Sequence, residues 1–353
     1  KDSYNDKYEY ILPDVVLDKN LFSNSKYGNA DFTGNLKIHN YDTNKFTKFL
    51  VNDIDWRSTD FNYKSGPTGK LLGKLKNVNY EAKNTSDYKS DTTNELFGAL
   101  GLLTEVDMHK ETQNDFRHLL TPKFLVRYAP GHMRKQEIDK GTRLSHHNLF
   151  SLDRLNSYNN FENGLSATIG FDYEIKNNER KFDLVVGQVI NEKENKDMPS
   201  SSSLDEKLSD VIGSTNLEIN EKLKFNYNFA LDQNYNRLNY NEIGTTLDLN
   251  PIKFNFNYLR EMEHIGDQEY INTKIDLLNS DKGVFSAETK RNLITNSAEF
   301  YNLSYEYLND CLKAGIVFRR EFYTDRDIEP DNSIMFTISI LPFGDVGSPK
   351  ISK

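Results

Sequence analysis

One thiol, Cys311, stands in a chain of 353 residues. A single cysteine excludes an internal disulfide. Two readings stand for it: a buried, inert thiol of the kind free cysteines often are, or half of a disulfide to another segment or chain. The other chemistry-bearing residues give less. Ser65–Lys70 reads SGPTGK, a faint likeness to a phosphate loop. The first glycine is missing, and Leu71 stands where a Ser or Thr would hold magnesium, so the spacing predicts a glycine turn. His118, His132, His146 and His147 lie in or near one long connection, with no His-x3-His or cysteine partner, and read as loop histidines. Carboxylates are plentiful, but no pair stands out for acid–base work. No Gly-x-Ser-x-Gly element is present. Asn84–Ser86 and Asn302–Ser304 match the glycosylation pattern only weakly. These residues predict no enzyme, no metal and no cofactor.

Composition narrows the class. Hydrophobic residues make up 37%, with 22 Phe, 20 Tyr and one Trp; so many aromatics exclude a disordered chain. The net charge of −9, without a basic cluster, argues against nucleic acid as a partner. No run of about 18 apolar residues exists to form a membrane helix; the most apolar window, Phe97–Leu103, is far shorter. A membrane barrel escapes that test, because its strands need only about 9–11 residues, with alternate positions apolar. The chain begins at Lys1 without Met, which reads as a mature or truncated product.

The elements that position these residues alternate with a period of two. Leu165–Ile175 puts Leu165, Ala167, Ile169 and Phe171 on one face and Ser166, Thr168, Gly170 and Asp172 on the other. In Leu223–Leu231 the apolar set is Leu223, Phe225, Tyr227 and Phe229; Lys224, Asn226 and Asn228 take the other face. Ile252–Tyr258 repeats the pattern. A closing hairpin, Leu308–Phe343, puts Leu312, Ala314, Ile316 and Phe318 on one face of its first strand and Ile334, Phe336, Ile338 and Ile340 on one face of its second. Such patterning is that of strands with one apolar face. Earlier strands are expected near 8–17, 30–40, 49–62, 70–82, 96–109 and 117–129. About 17 strands result, and residues 205–212 offer a helical turn at most. Ser200–Ser203 reads as flexible filler.

Connection lengths orient these strands. Bacterial barrels have short periplasmic turns and long outer loops. Counting back from a periplasmic C-terminus makes Asn309–Cys311, Asn279–Lys282, Asn250–Pro251, Asn220–Glu221 and Asn177–Arg180 periplasmic and short. The long segments 191–209, 130–163 and 83–95 fall outside. The expectation is an all-β, antiparallel, transmembrane outer-membrane β-barrel occupying residues 1–353. An odd strand number puts the chain's start outside and implies either missing strands or one strand miscounted; the former is favoured, so the barrel reads as incomplete, 16–18 strands of a larger one. Cys311 then sits at the oxidising periplasmic rim, which favours the disulfide reading.

Several segments carry a family resemblance. They are Leu120–Gly131 (LTPKFLVRYAPG), Asn148–Arg154 (NLFSLDR), Asn163–Glu174 (NGLSATIGFDYE), Gly187–Gln188, Leu208–Asp210 and the terminal block with Cys311 and Thr324–Pro330 (TDRDIEP). In that order, over roughly 119–343, they resemble the C-terminal barrel region of the LPS-assembly protein LptD (organic solvent tolerance protein) family. The first hundred residues resemble it only as barrel-like sequence. The resemblance implies an outer-membrane translocon subunit that inserts lipopolysaccharide into the outer leaflet. It implies an LptE-type lipoprotein plug in the lumen, and a periplasmic LptA-type bridge reached through an N-terminal jelly roll absent from this chain. It implies a disulfide from Cys311 to that domain, although the family often has two adjacent cysteines where Asp310 and Leu312 flank this one. It implies a lateral seam next to the last strand, at Ile334, Phe336, Ile338 and Ile340. Asp153, Arg154, Asp325, Arg326 and Asp327 fall in loop motifs, where Asp153 and Arg154 are expected to brace the loop, and Gly187 and Gln188 fall in a strand motif. The alternatives are a porin or other outer-membrane channel or receptor, and a secreted all-β carbohydrate-binding or hydrolytic protein.

Overall fold

The computed structural model describes residues 9–42, 44–86, 88–112, 115–135, 143–155, 157–262, 267–279, 283–309, 312–322, 332–340, 344–347 and 351–352. Among these the chain is all-β. The strands are β1 (Tyr10–Asn24), β2 (Gly28–Asp42), β3 (Lys45–Arg57), β4 (Phe61–Asn62), β5 (Thr68–Lys83), β6 (Thr93–Glu105), β7 (Met108–Glu111), β8 (Arg117–Ala129), β9 (Gly164–Lys176), β10 (Lys181–Asn191), β11 (Val211–Asn220), β12 (Leu223–Leu231), β13 (Leu238–Asp248), β14 (Ile252–Glu261), β15 (Gln268–Asn279), β16 (Gly283–Asn292), β17 (Ser297–Leu308), β18 (Leu312–Glu321), β19 (Asn332–Ile340), β20 (Gly344–Gly347) and β21 (Ile351–Ser352).

The strands expected from alternation are present, with shifted bounds in the first half. The run expected at 49–62 stops at Arg57, and Phe61–Asn62 pairs separately with β5. Ser58 causes the break: its Oγ accepts from Leu71 N at 2.9 Å. The run expected at 96–109 stops at Glu105, where the Thr121 hydroxyl donates to Asp107 Oδ1 at 2.7 Å. SGPTGK is a turn, with Gly66 at φ +108°, a conformation glycine adopts at no steric cost. No helical turn forms over 205–212; among the described residues a 3-10 turn lies at Ser200–Ser202. Ser202 there is not filler but fully buried. Its hydroxyl donates to Pro199 O at 2.6 Å and accepts from Leu204 N at 3.2 Å.

The hairpin turns share one sequence device. Asn177, Asn220 and Asn309 each accept, through Oδ1, backbone N–H groups two or three residues on. Asn24 does the same. An asparagine side chain that mimics a backbone carbonyl closes a tight turn without help from elsewhere.

The chain divides into two units. The first comprises Lys1–Met108, Leu120–Asp172 and Val186–Ile212. Its antiparallel ladders run β1–β2–β3–β5–β6–β8. One face of these strands exposes Leu36, Leu50, Leu71, Leu96, Leu100 and Phe124. The other carries Phe49, Val51, Val78, Tyr80, Phe97 and Ala99, covered by Leu152 and Phe161 from the connection after β8. The core of this unit is thus a loop packed on one face of the strands.

The second unit comprises His109–Leu119, Tyr173–Val185 and Gly213–Lys353. Here β12 to β19 pair in sequence order, each antiparallel to the next. β18 and β19 have the expected faces, and they pair with Phe318 facing Ile334 and Ile316 facing Phe336. This hairpin does not end the fold: β20 pairs with Thr337–Ile340, and β21 with Ser333 and Ile334. These two segments are too short to show alternation; backbone groups along the edge of β19 recruit them.

Candidate functional site

In the first unit the site is built on the connection between β8 and β9. Arg154 and Glu162 both lie inside it, and both side chains are buried. Arg154 Nε donates to Glu162 Oε2 at 2.8 Å, and Arg154 Nη2 donates to Oε1 of the same carboxylate and to Ser166 Oγ at 3.0 Å. Arg127, buried on β8, donates from Nε to Leu152 O at 2.5 Å and from Nη2 to Glu162 O. Burial alone would raise the Glu162 carboxyl, but Arg127 and Arg154 outweigh it and hold the group below the usual carboxylate range. Lys76, buried on β5, donates from Nζ to Ser157 O at 2.6 Å, Asn160 O at 3.2 Å and Asp153 Oδ2 at 3.4 Å. Burial pushes Asp153 upward, with Lys76 pulling the other way. These contacts hold the loop by its backbone carbonyls and offer no nucleophile. Beneath Phe150–Asp153, against β2, β3 and β5, lies a cavity of about 440 Å³ whose wall includes Asp31, Asp55, Arg57 and Lys74.

Gly187 and Gln188 meet two other segments of the same unit. Gln188 Nε2 donates to Ser209 O at 2.8 Å, and Val189 N donates to Ser209 Oγ at 2.9 Å. Leu149 seats over Gly187 so closely that a Cβ there would lie 2.5 Å from Leu149 Cδ2 and 2.9 Å from Ile169 O. A Cβ on Gly170 would meet Gly187 Cα and Phe150 Cζ, each at 3.0 Å. The two glycines make a gap between β9 and β10 into which Leu149 and Phe150 fit. Four of the motif segments, 148–154, 163–174, 187–188 and 208–210, are thereby one packed assembly.

Sequence reading singled out Asp153, Arg154, Gly187 and Gln188 and passed over Glu162, Arg127, Lys76 and Ser209. Arg127 and Ser209 lie inside motif segments, but nothing local marks them as partners. Charged residues on a strand's polar face read as solvated until a distant loop covers them.

In the second unit the two faces of the strands sort into rows. One row reads Lys224, Thr246, Asn255, Lys274, Glu288, Asn302, Arg319, Ser333, each residue directly opposite the next from β12 to β19. The row beside it, on the other face, reads Leu223, Leu247, Phe254, Ile275, Ala287, Leu303, Phe318, Ile334. A second apolar row, Ile252, Leu277, Phe285, Tyr305, Ile316, Phe336, has every side chain 41–47% exposed. So continuous an exposed apolar surface does not suit water. Lipid stabilises it, by about 1.5–3 kcal/mol per large side chain removed from water. Ile334, Phe336 and Ile338 are all exposed on this face of β19; Ile340 takes part in its ladder, opposite Leu312. Cys311, Asp325, Arg326 and Asp327 lie outside the described residues.

Comparison with known proteins agrees with this amphipathic pattern. The profile of the family described as "LptD: LPS transport system D" matches residues 2–304. That match takes in the first hundred residues, which had resembled the family only as barrel-like sequence, and stops before the terminal block with Cys311. No curated protein matches the chain. Among solved structures, the siderophore receptor PirA from Acinetobacter baumannii superposes with a TM-score of 0.50 at 7% identity, covering 93% of this chain and 64% of the receptor. The chain thus spans about two thirds of that receptor's length, and at this identity the likeness is one of fold. A mutant of the Rh. blastica porin aligns with a TM-score of 0.33 at 9% identity, over 87% of this chain and 95% of the porin.

Proposed function

The chain belongs to the LptD family and is an all-β protein of the bacterial outer membrane; from that premise we propose that it inserts lipopolysaccharide into the outer leaflet by transport, without covalent chemistry. The observation that supports this is the pairing of rows in the second unit. Asn302 and Leu303 are neighbours in sequence and belong to an unbroken polar row and an unbroken apolar row that both reach β19. An amphiphile with a hydrated glycan and apolar chains matches such a wall along its whole length. The glycan keeps to the polar face, and the acyl chains leave sideways beside β19, along Ile334, Phe336, Ile338 and Ile340. Leaving the chains in lipid avoids carrying about 0.8 kcal/mol per CH2 through water.

In this reading an LptE-type lipoprotein stands on the polar side of the wall, and a periplasmic LptA-type bridge supplies substrate. Cys311 forms a disulfide to a segment outside this sequence. Asp153 braces the connection after β8 against Lys76 of β5, and Arg154 braces it from within through Glu162. Depletion of the protein in its host, followed by assay of surface lipopolysaccharide, tests the reading. Loss of surface lipopolysaccharide is expected; an unchanged level supports a general channel or receptor instead.

A further inference from the structure

Three arginines interrupt the apolar face of the second unit, all at one end of it. Arg260, Arg291 and Arg320 are each the next-to-last residue of their strand, in β14, β16 and β18. Each lies an even number of residues from Phe254, Ala287 and Phe318 respectively, so each shares the face of the apolar rows. All three are exposed. The connections at this end, 232–237, 262–267, 293–296 and 322–331, are longer than 221–222, 249–251, 280–282 and 309–311 at the other. Short turns belong to the periplasmic side, so the arginines stand at the outer rim. Toward the other end the same face carries Leu223, Ile252, Leu277 and Leu312 instead.

Their partners differ from those of cations on the polar face. There Lys274 pairs with Asp276 at 3.0 Å, Lys290 with Glu299 at 2.7 Å and Lys313 with Glu306 at 3.0 Å. Among the described residues, none of the three arginines has a carboxylate within ion-pair distance. Arg291 donates from Nη2 to the amide Oδ1 of Asn296 at 2.6 Å. Arg320 lies over the Phe322 ring, 4.8 Å from its centroid. Glu269 stands directly opposite Arg260, yet its Oε1 accepts from Tyr258 OH at 2.7 Å. The chain thus supplies counter-charge on its polar face and leaves these guanidinium groups to meet it from outside. On the same face Tyr301, Leu303 and Phe318 are exposed next to the arginines. Cations above an apolar wall match an anionic headgroup whose chains lie on that wall, and a guanidinium meets phosphate with two parallel N–H donors.

We propose that Arg260, Arg291 and Arg320 form a belt that binds the phosphate groups of glycolipid already resident in the outer leaflet, its acyl chains lying on the apolar face of β14 to β18. Neighbouring arginines are two strands apart, at least about 10 Å, so a headgroup with phosphate at both ends of a disaccharide can bridge two of them. A phospholipid, with one phosphate, cannot. The belt lies on the face opposite the polar row and takes no part in the route along it; it fixes the depth of these strands in the membrane. It rests on the outer-membrane location and not on the transport reading.

The test is native mass spectrometry of the protein purified in detergent. The probes are bisphosphorylated lipid A, the same lipid with both phosphates removed, and phosphatidylglycerol as competitor. The native protein is expected to hold the bisphosphorylated form about 10-fold tighter than the dephosphorylated one, and phosphatidylglycerol at equal concentration is expected not to displace it. Arg260→Gln with Arg291→Gln and Arg320→Gln is expected to remove that preference while heat-modifiable gel migration stays native. Lys290→Gln removes one charge from the polar face next to Arg291 and is expected to keep the preference, which separates the belt from lipid held on the transport route. A triple variant that keeps the preference, a native protein without one, an equal loss in Lys290→Gln, or displacement by phosphatidylglycerol overturns the belt. The depletion assay separates the two proposals: surface lipopolysaccharide that needs the protein, together with lipid binding indifferent to phosphate, sinks the belt alone.

Discussion

Arg154 and Glu162 form a two-point ion pair inside one connection, with Nε to Oε2 at 2.8 Å, and solvent reaches neither group to any extent. Burying two charges costs more than it returns unless every remaining donor and acceptor is used. Here Ser166 Oγ and the Arg127 guanidinium use most of them. Arg154→Ala leaves Glu162 buried with one partner fewer. A loss of about 3 kcal/mol is expected, and limited proteolysis within 143–163 should accelerate on the order of 100-fold. Replacing both residues by Met and Leu should recover most of that protection. Equal cleavage of the native and Arg154→Ala proteins would show that the pair does not hold the loop.

Gly187 and Leu149 make the second prediction. Gly187→Val overfills the space under Leu149 at a cost of about 1–3 kcal/mol, read as a lower urea midpoint. Leu149→Ala in the same protein should restore part of the loss, because the shortest contact is with Leu149 Cδ2. The Ile169 carbonyl at 2.9 Å keeps the rescue partial. Strictly additive effects of the two substitutions would contradict this packing.

Asp205, in the connection between β10 and β11, sets a pH dependence. Burial raises its carboxyl to about 6. The folded protein therefore binds more protons than the unfolded chain between about pH 4 and 6, and stability falls as pH rises across that window. Its partial contact with water holds the effect to about 1 kcal/mol. Asp205→Asn should flatten the urea midpoint over that range. Glu162, held low by its arginines, acts in the opposite sense, losing its contribution only as the solution becomes more acidic. A midpoint that rises between pH 4 and 6 in the native protein would contradict the assignment to Asp205.

The free side of β19 is covered by β20 and β21, so the seam reading makes a further demand. Removing residues 344–353 exposes backbone donors and acceptors along β19 and should loosen the seam. Entry of a large hydrophilic dye through the outer membrane is expected to increase several-fold. Unchanged entry would mean that these segments do not guard the edge.

The strands and their faces were legible because a half-buried strand alternates with a period of two, and here the apolar side faces lipid. The faces of Leu312–Phe318 and Ile334–Ile340 follow from two clean alternations, but their register does not, because a slip of two residues leaves every face unchanged. The grip on the Asn148–Arg154 loop was not legible. Lys76 and Arg127 sit 25 or more residues from their partners, and on a strand's polar face a buried lysine has the same spacing as a wet one. Ser202 was misread for a related reason: a serine run looks flexible until tertiary contacts bury its backbone. Segments β20 and β21 lacked the length to show any period.

The most direct test of the account places a photo-crosslinking amino acid at Asn302 on the polar row and, separately, at Leu303 on the apolar row. The account predicts a lipopolysaccharide adduct at position 302 that disappears when lipopolysaccharide supply is halted, while adducts at position 303 are those of surrounding lipid and persist. No adduct at 302, or one indifferent to the supply of lipopolysaccharide, would contradict transport along the polar face.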